Sequence, residues 1–161
     1  MKIETERCVV RPFEQRDLDA FMIYRNDLEW MKYQGFKGLA RTEYEEALLG
    51  PQALDNGVQL AVVCRRSNAL LGDLYVKQEG DTYWIGYTIA PENARKGYAS
   101  EAVQALISFL AAKGGGGILA GARNGNSASE ALLRKLGFSF QGEADGEQIF
   151  RLDLARKERE I

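Results

Sequence analysis

The chain has 161 residues, 45% hydrophobic and 27% charged, with a formal net charge of −2 and no histidine. One domain of this length can bury about 70% of its unfolded surface, and the near-neutral balance gives no global attraction to nucleic acid or an anionic membrane, so neither is expected as a partner. Without histidine the commonest general base and metal ligand are missing; no metal site is expected, and any anion site has to be local.

Met1 to Arg7 is charged and lacks a signal-peptide core, and no stretch approaches ~18 consecutive apolar residues, so a cytoplasmic location is expected. Cys8 and Cys64 are the only cysteines; they lie far apart in sequence, fit no metal-ligand spacing and are expected to be free thiols. Arg7 to Arg11 predicts a short strand stopped by Pro12, and Asp17 is placed to cap a helix carrying Leu18, Phe21, Met22 and Arg25. Leu28 to Ala40 mixes Trp30, Tyr33 and Phe36 with Gly35 and Gly38. These aromatics either line a substrate pocket or anchor a loop to the core.

Thr42 and Glu45 have capping-box spacing for a second helix that ends at Gly50-Pro51. Strands follow at Val58 to Cys64, Leu70 to Lys77 and Thr82 to Ala90, joined by the turns Arg65 to Asn68 and Gln78 to Asp81. Pro91 ends the third of these. Ala99, Ala102, Val103, Leu106 and Leu110 then have the i, i+3, i+4, i+7 spacing of a helix with one buried face. The loop between strand and helix ends in Arg95-Lys96-Gly97, so unpaired N–H groups and cationic side chains stand where an anion such as a phosphate could bind. An ordinary strand-to-helix connection with a solvated basic pair is the alternative.

Gly114 to Gly117 stops that helix and suggests local mobility. Ile118 to Ala122 reads as a buried strand; Ser127 and Glu130 have capping-box spacing for a last helix, closed by Gly137. Asp145-Gly146 predicts a hairpin between Phe138 to Gly142 and Gln148 to Leu154. The whole is a mixed α/β domain without a visible linker, taken as one unit over residues 1–161.

The order and spacing of three pieces carry a resemblance. They are Thr5 to Pro12, Ile85 to Pro91 running into Lys96-Gly-Tyr-Ala-Ser-Glu-Ala102, and Asn126-Ser-Ala-Ser129 followed by Leu136-Gly-Phe138. Together they resemble the GNAT superfamily of N-acetyltransferases, in the branch that includes the ribosomal-protein alanine acetyltransferases. The resemblance implies one twisted mixed sheet of six to seven strands flanked by four helices, with the fourth strand (Thr82 to Ala90) and fifth (Ile118 to Ala122) splayed apart. It implies acetyl-coenzyme A as co-substrate, held by Arg95, Lys96, Gly97, Tyr98, Ala99 and Ser100, with Ala94 where Arg or Gln is usual. Amides near Ile89 and Ala90 would polarise the thioester, and a primary amine, on a protein N-terminus or a small molecule, would attack directly.

Two usual groups are absent from this chain: Trp84 stands where relatives place a glutamate base and Leu133 where many place a tyrosine acid. The resemblance offers Ser129 as acid and Asn126 as a coenzyme contact, though both residues also suit a helix start. The base is unassigned, with Glu79, Asp81 and Glu29 as candidates; Glu29 and Asp27 could instead give the acceptor site an acidic lining that favours a cationic amine. The acceptor is expected between Trp30, Tyr33 and Phe36 and the Asp145-Gly146 hairpin, and a homodimer is expected at the family level. A coenzyme-binding regulator, or an enzyme using another acyl group, is the second reading. A small nucleotide-binding or adaptor module is the third, disfavoured by the lack of G-x-x-x-x-G-K-[ST].

Overall fold

The computed structural model of the protein describes residues 1–154. The elements are β1 (Ile3–Glu4), β2 (Cys8–Pro12), α1 (Leu18–Arg25), α2 (Arg41–Leu49), β3 (Val58–Cys64), β4 (Leu70–Glu79), β5 (Thr82–Ile89), α3 (Tyr98–Ala112), β6 (Gly117–Arg123), α4 (Ser127–Lys135), β7 (Ser139–Ala144) and β8 (Glu147–Asp153). They build one eight-stranded mixed sheet in the order β1-β2-β3-β4-β5-β6-β8-β7, antiparallel except for β5 beside β6. The parallel pair is joined through α3, as a crossover requires. The strand beyond the expected six to seven is β1, two residues with too little pattern to read.

The two sheet faces are covered by different helices. Cys8, Val10, Leu60, Val62, Leu74, Val76, Ile85, Ile118, Ala120 and Phe150 meet Ala102, Val103, Leu106 and Leu110 of α3 and Leu133 of α4. Each of the large aliphatic α3 side chains contributes roughly 1.5–3 kcal/mol by leaving water. On the opposite face Ala61, Val63, Leu70 and Ala90 pack with Leu18, Phe21 and Tyr24 of α1 and with Tyr44 and Leu48 of α2. That second layer leaves Trp84, Leu119, Gly121 and Ile149 partly exposed. That face is therefore only partly covered over β5, β6 and β8.

The helix starts differ from the sequence reading. Asp17 stands at the N-cap position of α1 but makes no side-chain capping bond: its carboxylate takes two bonds from Arg11, at 2.7 and 3.0 Å, and one from the Glu14 amide at 2.8 Å. The second helix starts at Arg41, with the Ala40 amide donating to Glu43 at 3.1 Å instead of a Thr42–Glu45 pair. At α4 the cap is Asn126, whose Oδ1 accepts from the Ser129 amide at 3.3 Å, and not Ser127. In each case several polar residues share workable spacings, and packing selects among them.

The glycine run is bonded into the fold. Gly114 and Gly115 donate to Ala111 and Leu110, Gly116 donates to Asp81 O at 2.7 Å, and Gly117 begins β6. A Cβ on Gly115 would stand 2.8 Å from the Tyr83 ring, so close approach explains the missing side chain there.

One charged cluster is buried between α1 and the sheet. Arg25 Nη2 donates to Asp73 Oδ1 at 2.6 Å and to Thr88 Oγ1 at 3.3 Å, and Tyr24 Oη donates to Asp73 Oδ2 at 2.5 Å. Arg25 is 4% exposed and Asp73 1%. Removing one partner of such a pair strands the other, at a cost of about 3–5 kcal/mol. Asp73→Ala is accordingly expected to lower the urea midpoint sharply with the slope unchanged; a near-wild-type midpoint would show that water reaches Arg25.

Candidate active site

The site begins where β5 and β6 part. They pair from Thr82↔Gly117 to Ile85↔Ala120 and no further. Beyond that point β5 stays with β4 as far as Gly72↔Ile89, and β6 stays with β8 as far as Arg123↔Glu147. Gly72 permits the first of these attachments, because a Cβ there would lie 2.2 Å from Thr88 O. The two strand ends diverge as a V. The Ala90 amide donates to Leu71 O at 2.8 Å, so alternation along the ladder turns the amides of Ile89 and Tyr87 toward the gap. Of the two residues expected to polarise a carbonyl, Ile89 is thus the one with a gap-facing amide, and Ala90 is engaged with β4.

From Ile89 the chain makes one 3-10 turn over Pro91–Asn93 and enters α3. Arg95 and Gly97 both have positive φ, 63° and 84°. The first helical bond in α3 runs from Glu101 N–H to Gly97 O at 3.0 Å. The amides of Tyr98, Ala99 and Ser100 therefore lack intrahelical acceptors and face outward at the positive end of a 15-residue helix. Arg95 and Lys96 are exposed on the same loop. An anion of phosphate size matches this arrangement.

The loop is braced by Arg7, Thr5 and Glu101, residues whose pattern in the sequence carries no sign of this role. Arg7 Nη1 donates to Lys96 O at 2.9 Å and its Nε to Glu101 Oε1 at 2.7 Å, while its guanidinium lies 4.3 Å from the Tyr98 ring centroid. Glu101 Oε2 also takes the Thr5 hydroxyl at 2.5 Å and the Arg7 amide at 2.9 Å. A Cβ at Gly97 would stand 3.3 Å from Arg7 Nη2. Burial alone would raise the Glu101 carboxyl, but the bonds from Thr5 and Arg7 outweigh it and hold the group below its ordinary value.

On the other lip of the V, Asn126 caps α4 and Ser129 sits in its first turn. Ser129 Oγ lies 2.7 Å from Tyr87 Oη on β5, so a hydroxyl pair bridges the helix start and the diverging strand. Burial raises the Tyr87 phenol above its ordinary value, against the Ser129 hydrogen bond, so the pair is uncharged near neutrality. Leu133, at the position where a tyrosine acid is usual, is fully buried in the core. Tyr87 brings a phenol to the gap from the strand side instead.

The expected acceptor aromatics separate. Trp30 Nε1 donates to Ile89 O at 3.0 Å, and Tyr33 Oη donates to Gly125 O at 3.1 Å, so the segment after α1 touches both lips of the V. Phe36 is elsewhere, its ring 5.3 Å from Tyr44 and 6.1 Å from Phe21, anchoring the loop to the core. Glu29 is highly exposed and 3.8 Å from Lys32, Asp27 accepts from the Trp30 amide, Glu79 accepts from Trp84 Nε1, and Asp81 accepts from Thr82. A different acid stands on the partly covered face. Glu147, directly after the Asp145-Gly146 turn, lies over Gly121, where a Cβ would be 2.7 Å from Glu147 Oε2. Gly121 is one residue past the last β5–β6 pair and faces away from α3 and α4. Among the described residues no cluster of three or more His, Cys, Asp or Glu could hold a metal ion.

Because the Glu101 value is depressed in the folded protein, its contribution is complete above the ordinary glutamate pKa and is lost as pH falls through the folded value. If the loop holds an anionic substrate, Arg7→Ala is expected to raise its KM several-fold with kcat nearly unchanged, and Glu101→Gln is expected to remove the acid-side loss of stability. A shift in kcat alone for Arg7→Ala would contradict the bracing role.

The comparisons with known proteins agree with this geometry. The acetyltransferase (GNAT) domain family matches residues 7–139. The chain is 35% identical over 111 residues to the uncharacterised N-acetyltransferase YnaD of Bacillus subtilis, a stretch that spans 68% of this chain and 65% of that relative's length. A GNAT-family acetyltransferase from Bacillus anthracis superposes with a TM-score of 0.84 at 25% identity, covering 95% of this chain and 98% of that one. RimL, a ribosomal-protein alpha-N-acetyltransferase solved in complex with coenzyme A, shares the fold at a TM-score of 0.81 and 17% identity, with 96% and 98% covered. The parted strands, the open helix start between them and the match over most of the sequence place this chain in the GNAT acetyltransferase family.

Proposed function

We propose that the protein is an acetyl-coenzyme A-dependent N-acetyltransferase in which a primary amine attacks the thioester directly. The observation that carries this reading is the continuity of the unpaired end of β5 with the open N-terminus of α3. A pantetheine arm can pair along Tyr87 to Ile89 as an added strand would, and the pyrophosphate then falls on the amides of Gly97, Tyr98, Ala99 and Ser100 beside Arg95 and Lys96. RimL supports the choice of ligand, since that neighbour was solved with coenzyme A.

Acetyl-coenzyme A would supply an activated acyl group with a thiol leaving group. The Ile89 amide would donate to the thioester oxygen as charge builds on it, a contribution of about 3 kcal/mol for a well-aimed donor. Holding the amine beside that carbonyl removes the need for an acyl-enzyme, and neither cysteine lies in the gap. The acceptor enters over the open face, between Trp30 and Tyr33 and the β7–β8 hairpin. An ammonium with an ordinary pKa of about 10 has to lose a proton before attack, and Glu147 is the acid placed to hold it and pass the proton to water. Ser129, supported by Tyr87, protonates the departing sulfur. Asn126 keeps the helix start and Ser129 in place. The alternative reading, a coenzyme-binding regulator or an enzyme of a different acyl group, predicts binding without acetyl transfer.

Titration calorimetry with acetyl-coenzyme A, followed by thiol release against a panel of peptide and small-molecule amines, tests the proposal. Binding with amine-dependent thiol release is expected, and Gly97→Glu should abolish the binding while the fold persists. No heat from folded wild-type protein would overturn the reading. For the chemistry, Ser129→Ala and Glu147→Gln should each lower kcat by about 10²-fold or more with coenzyme affinity little changed. Tyr87→Phe added to Ser129→Ala should cost little further; additive losses would separate the two hydroxyls.

A further inference from the structure

The fold makes register partners of the two cysteines that the sequence holds far apart. Cys8 on β2 faces Cys64 on β3 in the antiparallel pair. The kind of pair follows from the backbone: Arg65 N–H donates to Arg7 O at 2.9 Å, and Cys64 N–H turns the other way, to Ala69 O at 2.8 Å. Cys8 and Cys64 therefore occupy a non-hydrogen-bonded position, where facing Cα atoms approach to about 4.5 Å. A disulfide spans Cα separations of about 4.4–6.8 Å. The register fixes both Cβ atoms, and rotation about χ1 moves the sulfurs.

Both side chains lie on the α3 face of the sheet. Cys8 is fully buried in the core and Cys64 is partly buried against the same cluster, and both are free thiols. Their surroundings divide the work. A hydrogen bond from the Ser67 hydroxyl, joined by the Ser67 and Arg66 amides, holds the Cys64 thiol below its ordinary value. Burial pushes the Cys8 thiol up, and the nearby Glu101 carboxylate adds to this. An accessible thiol of lowered pKa attacks first, and a neighbouring buried one resolves.

We propose that Cys8 and Cys64 form a reversible thiol–disulfide pair, with Cys64 the attacking sulfur toward small disulfides and Cys8 the resolving one. In the first step the Cys64 thiolate attacks one sulfur of a low-molecular-weight disulfide such as oxidised glutathione. The small S–S bond breaks, and one small thiol leaves carrying the proton that Cys64 gave up. In the second step Cys8 loses its proton to water and attacks Cys64 Sγ, and the second small thiol departs with a proton. Two protein thiols are oxidised to one disulfide, and one small disulfide is reduced to two thiols. The bond would fix the end of β2 immediately beside Arg7, whose guanidinium carries the loop at Lys96.

The test is incubation of native protein with excess oxidised glutathione, acid quench, alkylation and intact mass with peptide mapping. Wild type is expected to lose two hydrogens and both alkylation sites, with the bridge mapped to Cys8 and Cys64, and to recover both thiols in excess reduced glutathione. Cys8→Ser should halt with one glutathione on Cys64, and Cys64→Ser should stay unmodified at Cys8. Persistent mixed disulfide on wild type, a bridge between two chains, closure only in denaturant, or two alkylatable thiols after incubation would each overturn the proposal.

Discussion

The structure turns on a failure of pairing. After Ile85 and Ala120 the ladder between β5 and β6 stops, while β5 stays paired with β4 and β6 with β8. A sheet interior with unpaired amides is normally costly, since buried backbone groups that lose water need a partner. Here the cost is offset by geometry. The gap is at the sheet end, it opens onto a helix start with the same shortage of acceptors, and one extended anionic ligand can satisfy both sets. The Tyr87–Ser129 hydroxyl pair, Trp30 and Tyr33 stand around that gap, and Glu147 lies over Gly121 beside it.

Two polar devices keep the gap from closing or wandering. Behind it, the buried Arg25–Asp73–Tyr24 cluster fixes α1 against β4 and reaches Thr88 on β5. In front of it, Glu101 gathers a hydroxyl, an amide and a guanidinium and thereby sets the height of the α3 start over the strand. Neither device touches the reacting atoms. Each converts a flexible connection into one with a defined direction, which is what preorganised donors need.

Most of the fold was legible because its periods are clean: the α3 stripe from Ala102 to Leu110, the β-branched runs of β3 and β5, and the Asp145-Gly146 turn all formed as their patterns require. The helix starts were less legible, since Asp17, Thr42 and Ser127 each obey a capping rule that a neighbour also obeys, and only tertiary partners such as Arg11 decide between them. The strand-to-helix loop could be placed from Gly97 and the apolar stripe behind it. The residues acting on it across space could not. Arg7 precedes a strand in a way that any solvated arginine could, Tyr87 reads as ordinary strand material until its ring is seen beside Ser129, and Glu147 gains its position from the absence of a side chain at Gly121. Phe36 shows the converse error, an aromatic in an irregular segment whose positive φ of 36° tucks the ring into the core.

The brace at Glu101 also says something about how the molecule comes together. Arg7 and Glu101 are separated by 94 positions, and α3 can form its turns long before the first hairpin arrives to hold them. Closing so long a loop is slow relative to local helix formation. The set position of the α3 start is thus a late product of folding: a chain caught before that docking would carry a finished helix with an unset mouth. Conversely, any molecule that binds only the docked state would favour it by mass action and so draw the earliest-made residues onto the middle of the chain.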